Sequence, residues 1–184
     1  MFARTERLLL RPGWREDAPA LFQAICDERL VRNLAQAPWP YTLGHAEAFL
    51  ERERGPLDTT CLIFLRTRGA PRLIGGIGLH RMPTGEHELG YWIARPYWGL
   101  GFATEAGQAV VANARDSLRL KRLVSGHFID NPASGRVLRK LGFRPAGSEL
   151  RYSAGRGAEA PCRLFALDLA ETAAAEPETR AMAA

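Results

Sequence analysis

The feature that most constrains this chain is a strand that runs into a glycine-containing turn and then a helix, within residues 91–106 (YWIARPYWGLGFATEA). Pro96 has no backbone N–H, so it stops sheet pairing after the predicted strand. Gly99 and Gly101 allow a tight turn, and small residues open the helix that follows. Several backbone N–H groups then point outward at the positive end of a helix. The turn therefore predicts a site for an anion such as a phosphate group.

Two familiar phosphate-binding loops can be tested against these letters. A Walker loop needs Gly-Lys followed by Ser or Thr, and the segment does not contain it. A dinucleotide-binding loop needs a third glycine where this chain has Thr104. Its strand also opens a strand–helix–strand unit, whereas the strand here ends a run of consecutive strands. Both loops are excluded, while a glycine pair that only makes a tight turn stays open.

The order of predicted elements indicates one α/β domain. The early strands are joined by turns and predict an antiparallel meander, whereas the later strands alternate with helices. We expect a mixed, mostly antiparallel sheet of about seven strands flanked by about four helices. Strand character covers residues 5–11, 60–66, 72–80, 87–93, 122–129, 146–152 and 163–169. Helical spacing covers residues 21–34, 45–54, 104–115 and 133–141.

Composition narrows the class of protein further. The 184 residues suffice for one domain, and no apolar run approaches the 18 residues of a membrane helix. Charges flank the first apolar run, so we expect no signal peptide, no membrane contact and a cytoplasmic protein. The three cysteines lie far apart, which favours buried thiols over a disulfide framework or a metal site. All but two of the 25 basic residues are arginines without a basic block, so nucleic acid is not an expected partner.

Two spaced motifs resemble the GNAT superfamily of N-acetyltransferases. The first, WGLGFATEA in residues 98–106, is similar to that family's acyl-CoA pyrophosphate loop, Q/R-x-x-G-x-G/A. Trp98 stands where the family has Arg or Gln, which removes one side-chain donor but no backbone amide. The second, NPASGRVLRKLGF in residues 131–143, resembles the family's N-x-x-S-x-x-V-L-x-K-L-G-F helix. With ELGYWI in residues 88–93, the pattern is most similar to the ribosomal-protein N-terminal (alanine/serine) acetyltransferases.

The resemblance covers about residues 4–170 and implies a fold, a cosubstrate and a reaction. It implies a sheet whose fourth and fifth strands splay apart, with a bulge in the strand before the turn. It implies acetyl-CoA as cosubstrate without a metal, its pantetheine arm paired with free backbone groups at the splay. Asn131 would bind that arm, although it also suits the N-cap of a helix that begins at Pro132. The implied cofactor contacts are Trp92, Ile93, Ala94, Trp98, Gly99, Leu100, Gly101, Phe102, Ala103, Thr104, Asn131 and Ser134.

Glu88 is the first candidate for the base that removes the proton of the attacking amine. Strand alternation places it on one face of a central strand, where a carboxylate is uncommon unless it is paired or functional. A salt bridge with an arginine is the alternative, and His127 on the next strand is the rival base. Glu105 suits the helix dipole. Many family members carry a tyrosine that protonates the departing thiolate, where this chain has Leu138. Ser134, taken as the one hydroxyl nearby, is therefore the candidate acid, or holds a water molecule there.

The acceptor is expected to be a primary amine of a peptide N-terminus or an amino-acid-like small molecule. The resemblance places its site between residues 30–45 and 150–162, which carry arginines, aromatics and one acid. A polycation would need several carboxylates there. The alternative function is a non-catalytic CoA-binding sensor or partner-binding module on the same fold, and a homodimer stays open. Residues 171–184 have almost no large apolar side chain and predict a flexible tail beyond a domain at 1–170.

Overall fold

The computed structural model describes residues 1–55 and 57–172, whose strands form one eight-stranded sheet. The strands are β1 (Ala3–Arg4), β2 (Leu8–Arg11), β3 (Thr59–Leu65), β4 (Arg72–Arg81), β5 (His87–Ile93), β6 (Arg122–Phe128), β7 (Arg144–Ser153) and β8 (Ala158–Asp168). The helices are α1 (Ala18–Ile25), α2 (Glu28–Val31), α3 (Leu43–Glu51), α4 (Phe102–Asp116), α5 (Pro132–Lys140) and α6 (Leu169–Thr172). The sheet order is β1-β2-β3-β4-β5-β6-β8-β7.

The predicted α/β sheet is confirmed, with small differences in count. The two-residue β1 adds an eighth strand, and β5 and β6 are the one parallel pair in the described sheet. Three expected helices appear as α3, α4 and α5. The helical spacing of residues 21–34 is divided between α1 and the single turn α2 by a break at residues 26 and 27, and α6 is a further single turn. The predicted tail lies almost wholly outside the described residues and stays a prediction. Within the described part, no helix has the length and apolarity needed to cross a membrane.

The sheet separates two apolar cores because successive side chains of a strand point to opposite faces. On β2, Leu8 and Leu10 pack into the core formed with α4 and α5, whereas Leu9 packs against the core formed with α1, α2 and α3. On β3, Ile63 and Leu62 divide in the same way. Both faces of the central strands are therefore covered by helices, so several polar side chains on these strands are buried.

A bulge on β4 changes which side chains face each core. Leu73 packs with α1 to α3, whereas Ile77 and Leu79 pack with α4 and α5, although all three have odd numbers. The pairing of β4 with β3 shifts at Ile74, and one extra residue exchanges the two faces. The prediction of a bulge in β5 is therefore wrong: the bulge lies in β4, and β5 pairs with β4 in unbroken register along its whole length.

Candidate active site

A cleft opens where the parallel pairing of β5 and β6 stops. Among the described residues, β5 and β6 form only two residue pairs, His87 with Leu123 and Glu88 with Val124. Beyond them β5 continues beside β4 and β6 beside β8, so the facing edges of β5 and β6 separate. This confirms the splay expected between the two strands. Its closed end lies at Glu88, and its open end lies toward Ile93 and the turn that follows.

One continuous cleft of about 1510 Å³ joins this splay to the N-terminus of α4 and to the segments around α2 and α3. Its lining includes glycines and aromatic side chains of β4 and β5, the start of α5, and the loop between α2 and α3. Sites for one small molecule usually measure about 300–1,000 Å³. The cleft is therefore large enough for an extended cofactor arm and a second substrate together.

The turn before α4 carries backbone N–H groups that are free to bind an anion. Gly99 and Gly101 have φ angles of +77° and +83°, in the left-handed region that disfavours side chains. Gly101 is the N-cap of α4, and no side chain caps it. The first backbone bond of the helix runs from Glu105 N to Gly101 O at 3.1 Å. The N–H groups of residues 102–104 therefore have no acceptor within the helix, as the predicted anion site requires.

Trp98, the residue that departs from the family motif, anchors this turn to β5. Its indole Nε1 donates to the carbonyl oxygen of Ile93 at 2.6 Å. The N–H of Ala94 donates to the carbonyl of the bulge residue Ile74 at 2.7 Å. Two backbone groups expected to be free for a pantetheine arm are thus engaged within the protein. A contact with the arm from residues 92–94 has to use the backbone groups that remain.

Glu105 holds the start of the chain against the same turn. Its Oε1 accepts from Thr5 Oγ1 at 2.6 Å and from Arg7 N at 2.8 Å, and its Oε2 accepts from Arg7 Nε at 2.7 Å. Arg7 Nη1 also donates to the carbonyl of Leu100 at 3.1 Å. Burial opposes the charge of Glu105, but hydrogen bonds from Thr5 and Arg7 outweigh it and lower the pKa of Glu105. Its role therefore extends beyond the helix dipole.

Glu88 lies at the closed end of the splay and is paired on both oxygens. Oε1 accepts from Arg151 Nη1 on β7, and Oε2 lies 3.1 Å from His80 Nε2 on β4. Burial alone would raise the pKa of Glu88, but hydrogen bonds from His80 and Arg151 and the charge of Arg151 lower it. The residue is only 7% exposed. The alternative role, a salt bridge with an arginine, is therefore present, and His80 joins the pair as an unexpected third member.

The start of α5 brings two hydroxyl groups together beside the cleft. Ser134 Oγ lies 2.8 Å from the Tyr91 hydroxyl, which also contacts the Ser134 carbonyl at 3.0 Å. The expectation that Ser134 is the one hydroxyl nearby is therefore wrong, although burial raises the pKa of Tyr91 to about 12. Asn131 Oδ1 caps α5 by accepting from Ser134 N at 3.4 Å, which leaves its amide N–H groups for another partner. Leu138 is fully buried in the core.

His127, the rival base, is packed into the protein. Its Nδ1 lies 2.8 Å from the carbonyl oxygen of Phe128, and its ring contacts the ring of Phe165 at a centroid distance of 5.5 Å. A Cβ added to Gly135 of α5 would lie only 2.5 Å from His127 Nε2. The imidazole therefore fills the space under a glycine of α5, and this packing favours a structural role.

The family described as "Acetyltransferase (GNAT) domain" matches residues 7–144, three quarters of the chain. The chain belongs to the GNAT acetyltransferases. As a member it is an acyl-CoA-dependent acetyltransferase, and the splay and the turn before α4 stand where the motif resemblance placed them.

Individual relatives agree with this assignment. An N-acetyltransferase of Bacillus subtilis named YoaA, called uncharacterized, is 31% identical over 80% of this chain and 85% of its own. Among solved structures, a GNAT acetyltransferase from Bacillus anthracis superposes with a TM-score of 0.78 at 23% identity, covering 92% and 99% of the two chains. RimL, described as a ribosomal L7/L12 alpha-N-protein acetyltransferase and solved in complex with coenzyme A, superposes with a TM-score of 0.76 at 19% identity, covering 91% and 98% of the two chains. The two structures show the same fold.

In this GNAT enzyme, the sequence analysis missed three side chains of the site, His80, Tyr91 and Arg7, and it missed the pairing of Arg151 with Glu88. A signal existed for the first, because the predicted turn after β4 sets the register of a hairpin that pairs His80 with Glu88. For Arg151 and Arg7 there was none, because they lie 63 and 98 residues from their carboxylate partners. No group of three or more His, Cys, Asp or Glu side chains among the described residues is placed to hold a metal.

Proposed function

We propose that this GNAT enzyme transfers the acetyl group of acetyl-CoA to a primary amine on a peptide N-terminus or an amino-acid-like small molecule. The observation that carries the proposal is the continuous cleft, which connects the free amides before α4 with the carboxylate at the closed end of the splay. The amine attacks the thioester carbonyl directly, in a complex that holds both substrates.

The residues present suit the polyanionic end of acetyl-CoA. The free N–H groups of residues 102–104 and the positive φ of Gly101 supply a pyrophosphate site at the N-terminus of α4. The pantetheine arm then follows the splay like an added strand, with the Asn131 amide donating to it. A backbone N–H on β5 polarises the thioester carbonyl. The other contacts proposed from the motif, Trp92 to Ala94 and Trp98 to Leu100, border the same path.

Direct attack is supported by the state of the cysteine that lines the cleft. Cys162 is 1% exposed, and burial raises the pKa of its thiol. A protonated, buried thiol is a poor nucleophile, so an acetylated cysteine intermediate is disfavoured. Glu88 supplies a negative charge that favours removal of the amine proton, and Ser134, beside Tyr91, supports the departing thiolate or a water molecule near it.

The charges of the two segments that border the acceptor site, residues 30–45 and 150–162 (the acceptor walls), favour a monoamine. The reason differs from the one expected, because the arginines of these walls are paired with carboxylates. Arg32 and Arg156 both bind Asp130, and Arg151 binds Glu88, so these arginines are not free cations. The same pairs engage Asp130 and Glu88, two of the cleft carboxylates that could otherwise pair with a polycation. Apolar wall residues lie beside them at the cleft, among them Leu34, Ala37, Tyr41 and Phe49. An amine with an apolar body fits this lining.

The test is thiol release from acetyl-CoA with a panel of amines at physiological salt. Short peptides with free N-termini and aromatic amino acids should be acetylated, whereas spermidine and kanamycin should react poorly. N-terminally blocked peptides are the matched control, since they differ only in the attacking amine. A clear preference for the polycations would contradict the acceptor proposal. Binding of CoA without thiol release for any amine would support the alternative, a CoA-binding sensor.

A further inference from the structure

We propose that His80 is the general base of this enzyme and that Glu88 is a positioning residue that orients it. The inference rests on the proposed function, because it concerns the proton of the attacking amine. It starts from a cross-strand pair: His80 on β4 lies directly opposite Glu88 on β5. Their side chains meet on the cleft face, with Nε2 and Oε2 separated by 3.1 Å.

The contacts of Glu88 leave it little capacity to take a proton itself. One oxygen binds the guanidinium of Arg151 and the other faces the imidazole of His80, so both are occupied. Its side chain is 10% exposed, against 43% for that of His80. These contacts also lower the pKa of Glu88, which makes the carboxylate a weaker base. Glu88 is thus suited to hold a neighbour in place, while His80 remains accessible from the cleft.

The Glu88 carboxylate, 3.1 Å from Nε2, favours the tautomer of His80 that carries its proton on Nε2. When Nε2–H donates to the carboxylate, the lone pair of Nδ1 is left as the acceptor. Among the described residues, no hydrogen-bond partner of Nδ1 is found. Imidazole is also the side chain whose charge ordinarily changes between pH 5 and 8, the range in which a base for an amine proton works well.

The floor beside the pair is open to an acceptor over Gly90 on β5. The residues next to His80 and Glu88 on the same face are Gly78 and Gly90, which lie opposite each other. A Cβ added at Gly90 would meet nothing within 4 Å, so there is empty space over this part of β5. The acceptor amine can therefore approach the closed end of the splay beside His80 without displacing a side chain.

The step balances with the groups present. The amine nitrogen forms a bond to the thioester carbon as its proton passes to His80 Nδ1, and the carbon–sulfur bond breaks to release the CoA thiolate. Glu88 keeps its charge throughout and stabilises the imidazolium, which returns its proton to the thiolate or to water. The other charged groups near the pair are Arg151, with Glu149 behind it, and Asp58, whose carboxylate accepts from Arg81 N.

The decisive variants are His80→Gln and Glu88→Gln, measured by kcat/KM against pH with a peptide acceptor. His80→Gln keeps an amide near Glu88 but removes the base, so kcat/KM should fall about 10²–10⁴-fold and the acidic limb of the profile should flatten. Glu88→Gln should lose less activity, and the acidic limb should persist, because the base stays in place and only its orientation is less firmly held. His87→Gln, on the same hairpin but outside the cleft lining, is the histidine control. Thermal shifts with CoA should be equal in all four proteins.

A normal kcat/KM and an unchanged acidic limb of the pH profile in His80→Gln, with a large loss of kcat/KM in Glu88→Gln, would overturn the inference and make Glu88 the base. The tautomer of the His80 ring, read from its nitrogen chemical shifts, needs no turnover. The proton should lie on Nε2 in wild type, and this preference should weaken in Glu88→Gln. Equal tautomers in wild type would mean that the pair does not form, which also overturns the inference. If wild type acetylates no amine while the tautomer preference is seen, the proposed function fails and the His80–Glu88 pair stands.

Discussion

Replacing Gly101 with Val should remove acetyl-CoA binding while the fold survives. The backbone there has a φ angle of +83°, and forcing a side-chain-bearing residue into this region costs about 1–2 kcal/mol. The added Cβ would lie 3.5 Å from Arg7 Nη2, an ordinary contact, so backbone strain and not a collision sets the cost. In a chain of this size, that corresponds to a melting temperature lower by about 2–8 °C.

The effect on the cofactor should be much larger than this strain suggests. Acetyl-CoA at 100 times its Kd stabilises a folded protein by about 2.7 kcal/mol through mass action. The same conversion gives a rise in melting temperature of about 5–11 °C for wild type. The valine side chain that the substitution introduces would crowd the N–H groups of residues 102–104, so Gly101→Val should show no rise.

The matched control is Gly157→Val in the turn between β7 and β8. Gly157 also has a positive φ, +63°, a Cβ there would meet nothing within 4 Å, and it does not line the cleft. Both variants should therefore melt lower than wild type, but only Gly157→Val should keep the full response to acetyl-CoA. Melting curves with and without cofactor, checked by calorimetric titration, measure both effects. A full response in Gly101→Val would refute the assignment of the turn as the pyrophosphate site.

The remaining predictions concern the support of the turn and the end of the chain. Glu105→Gln should lower the free energy of unfolding by about 1.5–3 kcal/mol at pH 7, because a charged acceptor of three hydrogen bonds is lost. Because the pKa of Glu105 is lowered in the folded chain, its contribution is present above the usual value of 4.5 and is lost as the pH falls through the folded value. Urea unfolding at pH 7 and pH 3.5 should therefore show a smaller difference from wild type in acid. Removing residues 173–184 should change neither the melting temperature nor the thiol release of the enzyme, and a loss of either would show that this segment docks.

Local sequence patterns predicted helices and strands well where a residue such as proline marks the end of the element. The strand expected at residues 87–93 has the bounds of β5, His87–Ile93, because alternation and the following proline define it. The helix expected from Thr104 begins two residues earlier, at Phe102. The sequence analysis placed Gly101 in the tight turn before the helix, whereas it is the N-cap of the helix. Glycine caps a helix without a side-chain signal, so the true start had no marker.

The site shows which contacts sequence can and cannot supply. A turn centred near Thr84 pairs His80 with Glu88 by simple hairpin register, so that contact was available from the letters alone. Arg151 reaches Glu88 from β7, which is not a neighbour of β5 in the sheet. The chain has many arginines, and no sequence feature near Arg151 marks it as the partner of Glu88. The charge of the acceptor walls had the same difficulty, because counting arginines does not show that Asp130 already binds two of them.

The departure of Trp98 from the family motif acquires a physical explanation in the structure. An arginine or glutamine there could donate to the cofactor, whereas the Trp98 indole donates to Ile93 O within the protein. The turn is also fixed from the other side by Glu105, which binds the segment that contains Thr5 and Arg7. The ligand thus has one side-chain donor fewer, but hydrogen bonds within the protein hold the free amides in place before the ligand binds. Preorganisation of this kind reduces the ordering cost of binding, so affinity for the pyrophosphate can survive without the side-chain donor.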